Sequence, residues 1–292
     1  MPRILVPLDE SELAEQALPW AANLARALNY DLHLISVWTL DEQIWMRAGV
    51  DPGDKPAKIS DALTEYLQGV AQRPEFEGLS VTGEARMGDV AEQIGQAATE
   101  GDTRLIAITS HGRGGFKRAI QGSVTDEVVR LVRIPVLVVR SGVAGGEIRR
   151  MLITLDGSDV SEEALPVARE VANAAGAEIH MIRVVNPVAE VAWTGIGPAP
   201  DLGRITEQYS EAARAYLQRI ALPGEHTDVL FGRPLDAILE YAQSRQCDVI
   251  AMGTHGRGGV VRLALGSTTD AVMRAADRPV LIVPRKDEDE KK

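Results

Sequence analysis

The chain has 292 residues, of which 45% are hydrophobic and 25% charged, with a formal charge of −11 and a single cysteine, Cys247. This balance excludes a disordered chain and a disulfide scaffold, and an acidic surface without a basic cluster disfavours nucleic acid and anionic lipid as partners. No stretch approaches the roughly 18 apolar residues of a membrane span, and the opening Pro2-Arg3-Ile4-Leu5-Val6-Pro7-Leu8-Asp9 is too short an apolar run for a signal peptide, so a cytoplasmic location is expected.

In chain order, short β-rich apolar runs alternate with amphipathic stretches. Strands are predicted at 3–8, 31–38, 79–86, 104–109 and 135–139, with helices at 11–28, 60–72, 89–100 and 123–132. Small residues from Ser141 to Gly146 mark a seam. Beyond it, strands are predicted at 150–155, 177–185, 226–231, 248–253 and 279–283, and helices at 159–175, 202–220, 235–245 and 267–276. The expectation is an α/β protein of two tandem doubly wound domains, residues 1–143 and 148–286. Each is a five-stranded parallel sheet of order 3-2-1-4-5 with helices on both faces. Pro19 and Pro166 fall inside the first predicted helix of each half, where a kink is expected. Trp38 to Lys58 and Asn186 to Asp201 break the rhythm, and read either as lids or as loops folded over their own cores. The charged run Lys286 to Lys292 reads as a frayed tail.

The two halves are copies. From His111 to Val139, 16 of 29 residues recur between His255 and Val283, and from Ile4 to Val37, 14 of 34 recur between Met151 and Val184. Random pairing at average residue frequencies would give about two matches in the first block. The repeated residues include Asp9 with Asp156 and His33 with His180.

Each half also carries a glycine loop after its fourth strand. The first runs Ser110-His111-Gly112-Arg113-Gly114-Gly115 and closes at Gly122-Ser123; the second runs Thr254-His255-Gly256-Arg257-Gly258-Gly259 and closes at Gly266-Ser267. Glycines let backbone approach a ligand, and Gly-Ser at a helix start aims N–H groups and a hydroxyl at an anion, so the loops read as phosphate cradles. Ligands of doubly wound sheets bind where strand order reverses, here between strands one and four. Asp9 and Asp156 end strand one there, each facing a cradle. Such a carboxylate can take ribose hydroxyls or help hold Mg²⁺; taken alone, it reads as a helix N-cap, a role that Ser11 or Ser158 could share. His111 and His255 read as structural groups or phosphate contacts, and His33 and His180 as satisfied core or edge groups. P-loop, dinucleotide-binding, kinase and hydrolase signatures are absent from the sequence.

Nearly the whole chain resembles the universal stress proteins in their tandem form. The family's ATP-binding members carry Gly-x-x-Gly, nine residues, then Gly-Ser/Thr, and Gly253-Thr254-His255-Gly256 followed by Gly266-Ser267 fits that pattern. The resemblance implies ATP or another adenine nucleotide as ligand, with Asp156 on ribose or Mg²⁺, Thr154 and Leu155 lining the base, and Val184 contacting adenine through its backbone. Met252, Gly253, Gly256, Arg257, Gly266, Ser267, Thr268 and Thr269 would enclose the rest. In the first half the corresponding positions are Pro7, Leu8, Asp9, Val37, Gly112, Gly122, Ser123, Val124 and Thr125. That half departs from the pattern, with Thr109 in place of Gly253 and Arg104 in place of Asp248.

The function expected is that of an ATP-binding, nucleotide-responsive regulator of stress tolerance without fast catalysis. The alternatives are a slow Mg-dependent ATPase or phosphoryl-transfer enzyme, and an interaction module with a vestigial site. The resemblance further implies that the halves join through their last strands as an intramolecular pseudo-dimer, with a further homodimer as an extension.

Overall fold

The structure, a computed structural model, describes residues 1–39, 55–110, 123–143, 145–186, 202–254 and 265–285, with backbone alone at 55, 56, 123 and 202–205. The chain divides into two units, Met1–Glu147 and Ile148–Lys292.

In the first unit, β1 (Arg3–Leu8), β2 (Asp31–Trp38), β3 (Val81–Met87), β4 (Thr103–Ser110) and β5 (Val136–Arg140) form a parallel sheet in the order β3-β2-β1-β4-β5. The helices between them are α1 (Leu18–Leu28), α2 (Lys55–Ala71), α3 (Val90–Glu100) and α4 (Ser123–Leu131). The second unit repeats the plan with β6 (Arg150–Leu155), β7 (Glu178–Val185), β8 (His226–Phe231), β9 (Val249–Gly253) and β10 (Val280–Val283), in the order β8-β7-β6-β9-β10. Its helices are α5 (Asp159–Glu162), α6 (Leu165–Ala175), α7 (Leu202–Ile220), α8 (Pro234–Ser244) and α9 (Ser267–Ala275). Both units therefore have the 3-2-1-4-5 order. Right-handed crossovers running outward in both directions from the first strand put helices on opposite faces of each sheet.

Burial follows that order. Ile4, Leu5 and Val6 of β1 and Met151, Leu152 and Ile153 of β6 are fully buried, as central strands covered on both faces must be. The outer strands β3 and β8 contain exposed and half-buried positions. Within β3, Gly83 brings its backbone against α2, since a Cβ there would stand 3.0 Å from that of Leu67.

Each predicted first helix is broken rather than kinked. A 3-10 turn (Ala14–Ala17) precedes α1, and α5 precedes α6; Pro19 and Pro166 fall in the first turn of α1 and α6, where the missing N–H costs nothing. Asn29 and Gly176 end α1 and α6 in the left-handed conformation, φ 56° and 67°. The long connections bearing Trp45, Met46 and Trp193, expected as lids or as loops over their own cores, and the tail after Arg285, expected to fray, lie outside the described residues.

Candidate functional site

The ladder between the first and fourth strands stops early. In the second unit β6 and β9 pair at Met151–Val249, Leu152–Ile250 and Ile153–Ala251, and the pairing ends there although the strands continue to Leu155 and Gly253. Their outer neighbours stay paired to the end, β7 through Leu155–Arg183 and β10 through Gly253–Val283. The parting thus belongs to the point where strand order reverses. In the first unit pairing of β1 with β4 likewise ends at Leu5–Ile106, well before Leu8 and Ser110. A crevice at the carboxyl edge of each sheet is the geometric result.

Most of the predicted residues meet there. Thr154 and Leu155 end β6, Asp156 follows, Val184 is next to last in β7, and Met252 and Gly253 end β9. Gly266 is the N-cap of α9, whose first turn holds Ser267, Thr268 and Thr269. The Thr269 hydroxyl donates to the Gly253 carbonyl at 2.8 Å, and the Gly266 N–H to the Thr254 carbonyl at 2.7 Å, tying the helix start to the strand end. The first N–H groups of α9 have no acceptor within the helix, as at any helix start. Gly256 and Arg257 lie outside the described residues, as do His111 and His255.

Asp156 is not the cap itself. Its Oδ1 accepts from the N–H of Ser158 at 2.9 Å and from its hydroxyl at 2.6 Å, and Ser158 Oγ accepts from the Ser161 N–H at 3.2 Å as N-cap of α5. Asp9 and Ser11 repeat this at 3.2 and 2.5 Å, with Ser11 Oγ accepting from the Ala14 N–H at 3.0 Å. The carboxylates therefore orient the caps and stand at the crevice mouth.

The first unit collects Pro7 and Leu8 at the end of β1, then Asp9, with Val37 near the end of β2 and Ser123, Val124 and Thr125 opening α4. Thr125 donates to the Thr109 carbonyl at 3.2 Å, the counterpart of the Thr269 clasp. Gly112 and Gly122 lie outside the described residues. The difference at Thr109 has a direct consequence: its hydroxyl donates to the Ala14 carbonyl at 3.2 Å, so the side chain bridges from β4 to the segment after β1. Arg104 and Asp248 belong to the other end of the sheet. Asp248 Oδ2 accepts from the N–H groups of Arg149 and Arg150 at 2.7 and 2.9 Å, and Arg104 pairs with Asp102 at 2.8 Å.

Single-sequence reading missed a clasp behind each carboxylate. Arg73 grips Glu15 with two hydrogen bonds of 2.9 and 2.8 Å while the Tyr66 hydroxyl donates to Glu15 at 2.8 Å. The hydrogen bond from Arg73 holds the Glu15 carboxyl below its ordinary range. In the second unit Arg219 pairs with Glu162 at 3.0 Å, and the guanidinium groups of Arg183 and Arg219 lie 5.2 and 5.5 Å from the ring centre of Tyr216. Burial, then the Glu162 carboxylate, pushes the Tyr216 hydroxyl up to about 12. The recurrence of Glu15 as Glu162 was the available signal. Cys247 is buried, which pushes its thiol up to about 11 and leaves it a packing group.

Comparison with known proteins bears on these features. A family model described as the Universal stress protein family matches residues 1–140 and again residues 147–284. A universal stress protein of Mycolicibacterium smegmatis is 27% identical over 299 residues, covering 96% of both proteins. One from Mycobacterium tuberculosis is 26% identical over 289 residues with the same coverage. A solved universal stress protein structure from Archaeoglobus fulgidus superposes with a TM-score of 0.70 at 25% identity, covering 97% of this chain and 98% of that one. No helix among the described residues is long and apolar enough to cross a membrane.

Proposed function

The chain belongs to the universal stress protein family, and from that premise we propose that it binds ATP in the crevice of its second unit and works in the cytoplasm as a nucleotide-responsive regulator of stress tolerance. The observation that carries this reading is the parting of β6 from β9 beyond Ile153–Ala251, which opens a slot between Asp156 on one side and the start of α9 on the other. A carboxylate facing a helix N-terminus suits a ligand with hydroxyls at one end and phosphates at the other. Gly266 adds support. Its φ of −58° and ψ of 142° are open to any residue, so glycine there contributes the lack of a side chain rather than backbone freedom.

Mg²⁺ fits the same reading, with Asp156 as its protein ligand and phosphate oxygens and water completing the shell. Oδ1 of Asp156 is already held by Ser158, which suits a fixed binding carboxylate better than a base that must move a proton.

Gly266→Val tests the assignment. A β-branched residue accepts that extended backbone, so the fold should persist while the side chain fills the cradle. Calorimetry with ATP and Mg²⁺ should show at least a tenfold loss of affinity, about 1.4 kcal/mol, with an unchanged thermal midpoint. Unchanged affinity would overturn the site.

A further inference from the structure

A second cluster lies at the amino edge of the second sheet, the edge remote from the crevice. A cavity of about 380 Å³ is lined there by Arg150, Glu178, His180, His226, Asp228 and Arg245 among others. Glu178 opens β7, and His180, two residues on, shares its face by the period of a strand. His226 opens β8 directly opposite His180, and the rings stack with centres 4.7 Å apart.

The hydrogen bonds of His180 fix where its proton sits. Its Nδ1 is 3.1 Å from the Tyr241 hydroxyl, which itself donates to Asp228 Oδ2 at 2.6 Å. A carboxylate only accepts, so the tyrosine proton points at Asp228 and the tyrosine oxygen accepts from Nδ1–H. Nε2 is therefore left with a bare lone pair. It is buried without a hydrogen-bond partner in a side chain only 8% exposed, and Glu178 Oε2 stands 3.9 Å away, beyond hydrogen-bond reach. Burial, reinforced by His226 and opposed by Glu178, lowers the pKa of His180.

The first unit supplies an internal control. His33 holds the position of His180, opposite Thr82 where the second unit has His226. There both ring nitrogens are engaged, Nδ1 with Thr82 at 2.8 Å and Nε2 with Glu84 at 3.0 Å. The histidine of the first unit is satisfied by its neighbouring strand; in the second unit His226 stands in the place of Thr82, and Asp228, in the place of Glu84, is engaged by Tyr241 and leaves Nε2 of His180 unpartnered.

We propose that Glu178, His180 through Nε2 and His226 form a binding site for a divalent transition metal of the zinc class, with Tyr241 and Asp228 as positioning residues. The ligating atoms of the three side chains already lie within 4.8 Å of one another. Two imidazoles and a carboxylate suit zinc rather than magnesium or calcium, and leave a fourth position for water or a further ligand. The Asp228–Tyr241–His180 chain is the outer support that a metal-bound histidine requires, holding the tautomer and the ring plane. The cations at the rim do not make this an anion site. Arg150 is bonded to Glu178 at 3.2 Å and Arg245 faces Asp228 at 3.8 Å, while an anion would meet the lone pair of Nε2. On metal binding, Arg150 must yield its hold on Glu178.

The test uses the full chain, stripped of metal and titrated with Zn²⁺ by calorimetry and with Co²⁺ by visible absorption. One site per chain is expected, with the intense Co²⁺ bands of a four-coordinate centre. His226→Ala and Glu178→Gln, both at exposed positions, should weaken zinc at least tenfold without moving the thermal midpoint. Tyr241→Phe should weaken it 10- to 100-fold, the range for loss of an outer partner, while His33→Gln should leave it unchanged. Failure of the unmodified chain to bind zinc, equal binding by His226→Ala, loss on His33→Gln, or inorganic phosphate displacing zinc from these residues would each overturn the proposal.

Discussion

Single residues show where the copies pay different costs for one geometry. Glu10 and Gly157 occupy the same step of the turn after the first strand, both with left-handed φ, 62° and 85°. A side chain in that region costs about 1–2 kcal/mol, part of which glycine gives back through the freedom of its unfolded chain. Glu10→Gly should therefore raise the unfolding free energy by about 0.5–1 kcal/mol in urea titrations; a decrease would mean that the Glu10 side chain makes a contact worth more than the strain. Gly157→Ala should destabilise, because a side chain is strained at its φ of 85°; the Arg183 guanidinium that the Cβ would meet at 2.7 Å is the end of a flexible side chain and can move aside. A second residue-scale prediction concerns His33. Burial lowers its pKa, Arg3 and Arg86 add to the effect, and Glu84 opposes it. With the folded pKa below the unfolded value of about 6.5, the unfolded chain takes up the proton first. The stability this neutral ring contributes is thus complete above that value and is lost as pH falls toward the folded pKa. Urea melts at pH 7.5 and 5.5 should show a larger loss in the unmodified protein than in His33→Gln, and equal losses would refute the assignment. Carboxylates held low, such as Glu15 and Glu84, titrate further down and leave this window clear.

At the scale of elements, the strands were legible because central parallel strands are nearly unbroken apolar runs such as Ile4-Leu5-Val6 and Val249-Ile250-Ala251-Met252. Helix starts were harder. Ser60 has the chemistry of a helix start, yet α2 begins at Lys55 because Pro56 is tolerated in a first turn. The first helices were read as continuous since their apolar periodicity runs through Pro19 and Pro166; a break preserves the buried face as well as a kink does. The carboxylates and the Gly-Ser helix start of the candidate site were legible through their repetition. Partners joined only by folding were not. Glu15 meets Tyr66 and Arg73 across more than fifty residues, and His180 meets Tyr241 across sixty-one. A strand histidine with a free lone pair and one without are identical letters.

At the scale of the whole molecule, duplication makes each unit a reference for the other. The clasps of Thr125 and Thr269 are the same, yet the Thr109 hydroxyl spans to Ala14 across the first crevice where the second has glycine at the corresponding strand position. One ATP per chain is therefore expected at moderate concentration, in the second unit. Thr109→Gly should strengthen the first site about tenfold, equivalent to about 1.4 kcal/mol, and Gly253→Thr should weaken the second. Two equal sites in titration calorimetry, indifferent to both substitutions, would show that Thr109 does not obstruct. The parted strands have a further consequence, for solvent. Beyond the last rung, backbone groups of the first and fourth strands no longer satisfy one another, and those without a side-chain partner must bond to water. Pro7 limits the need in the first unit by bringing no N–H, whereas Thr154 at the matching step brings one. The second crevice thus offers water more backbone to bond than the first does. A ligand gains there only if its polar atoms reproduce the hydrogen bonds of the water it expels, so selectivity rests on matching a hydration pattern set by the strand ends.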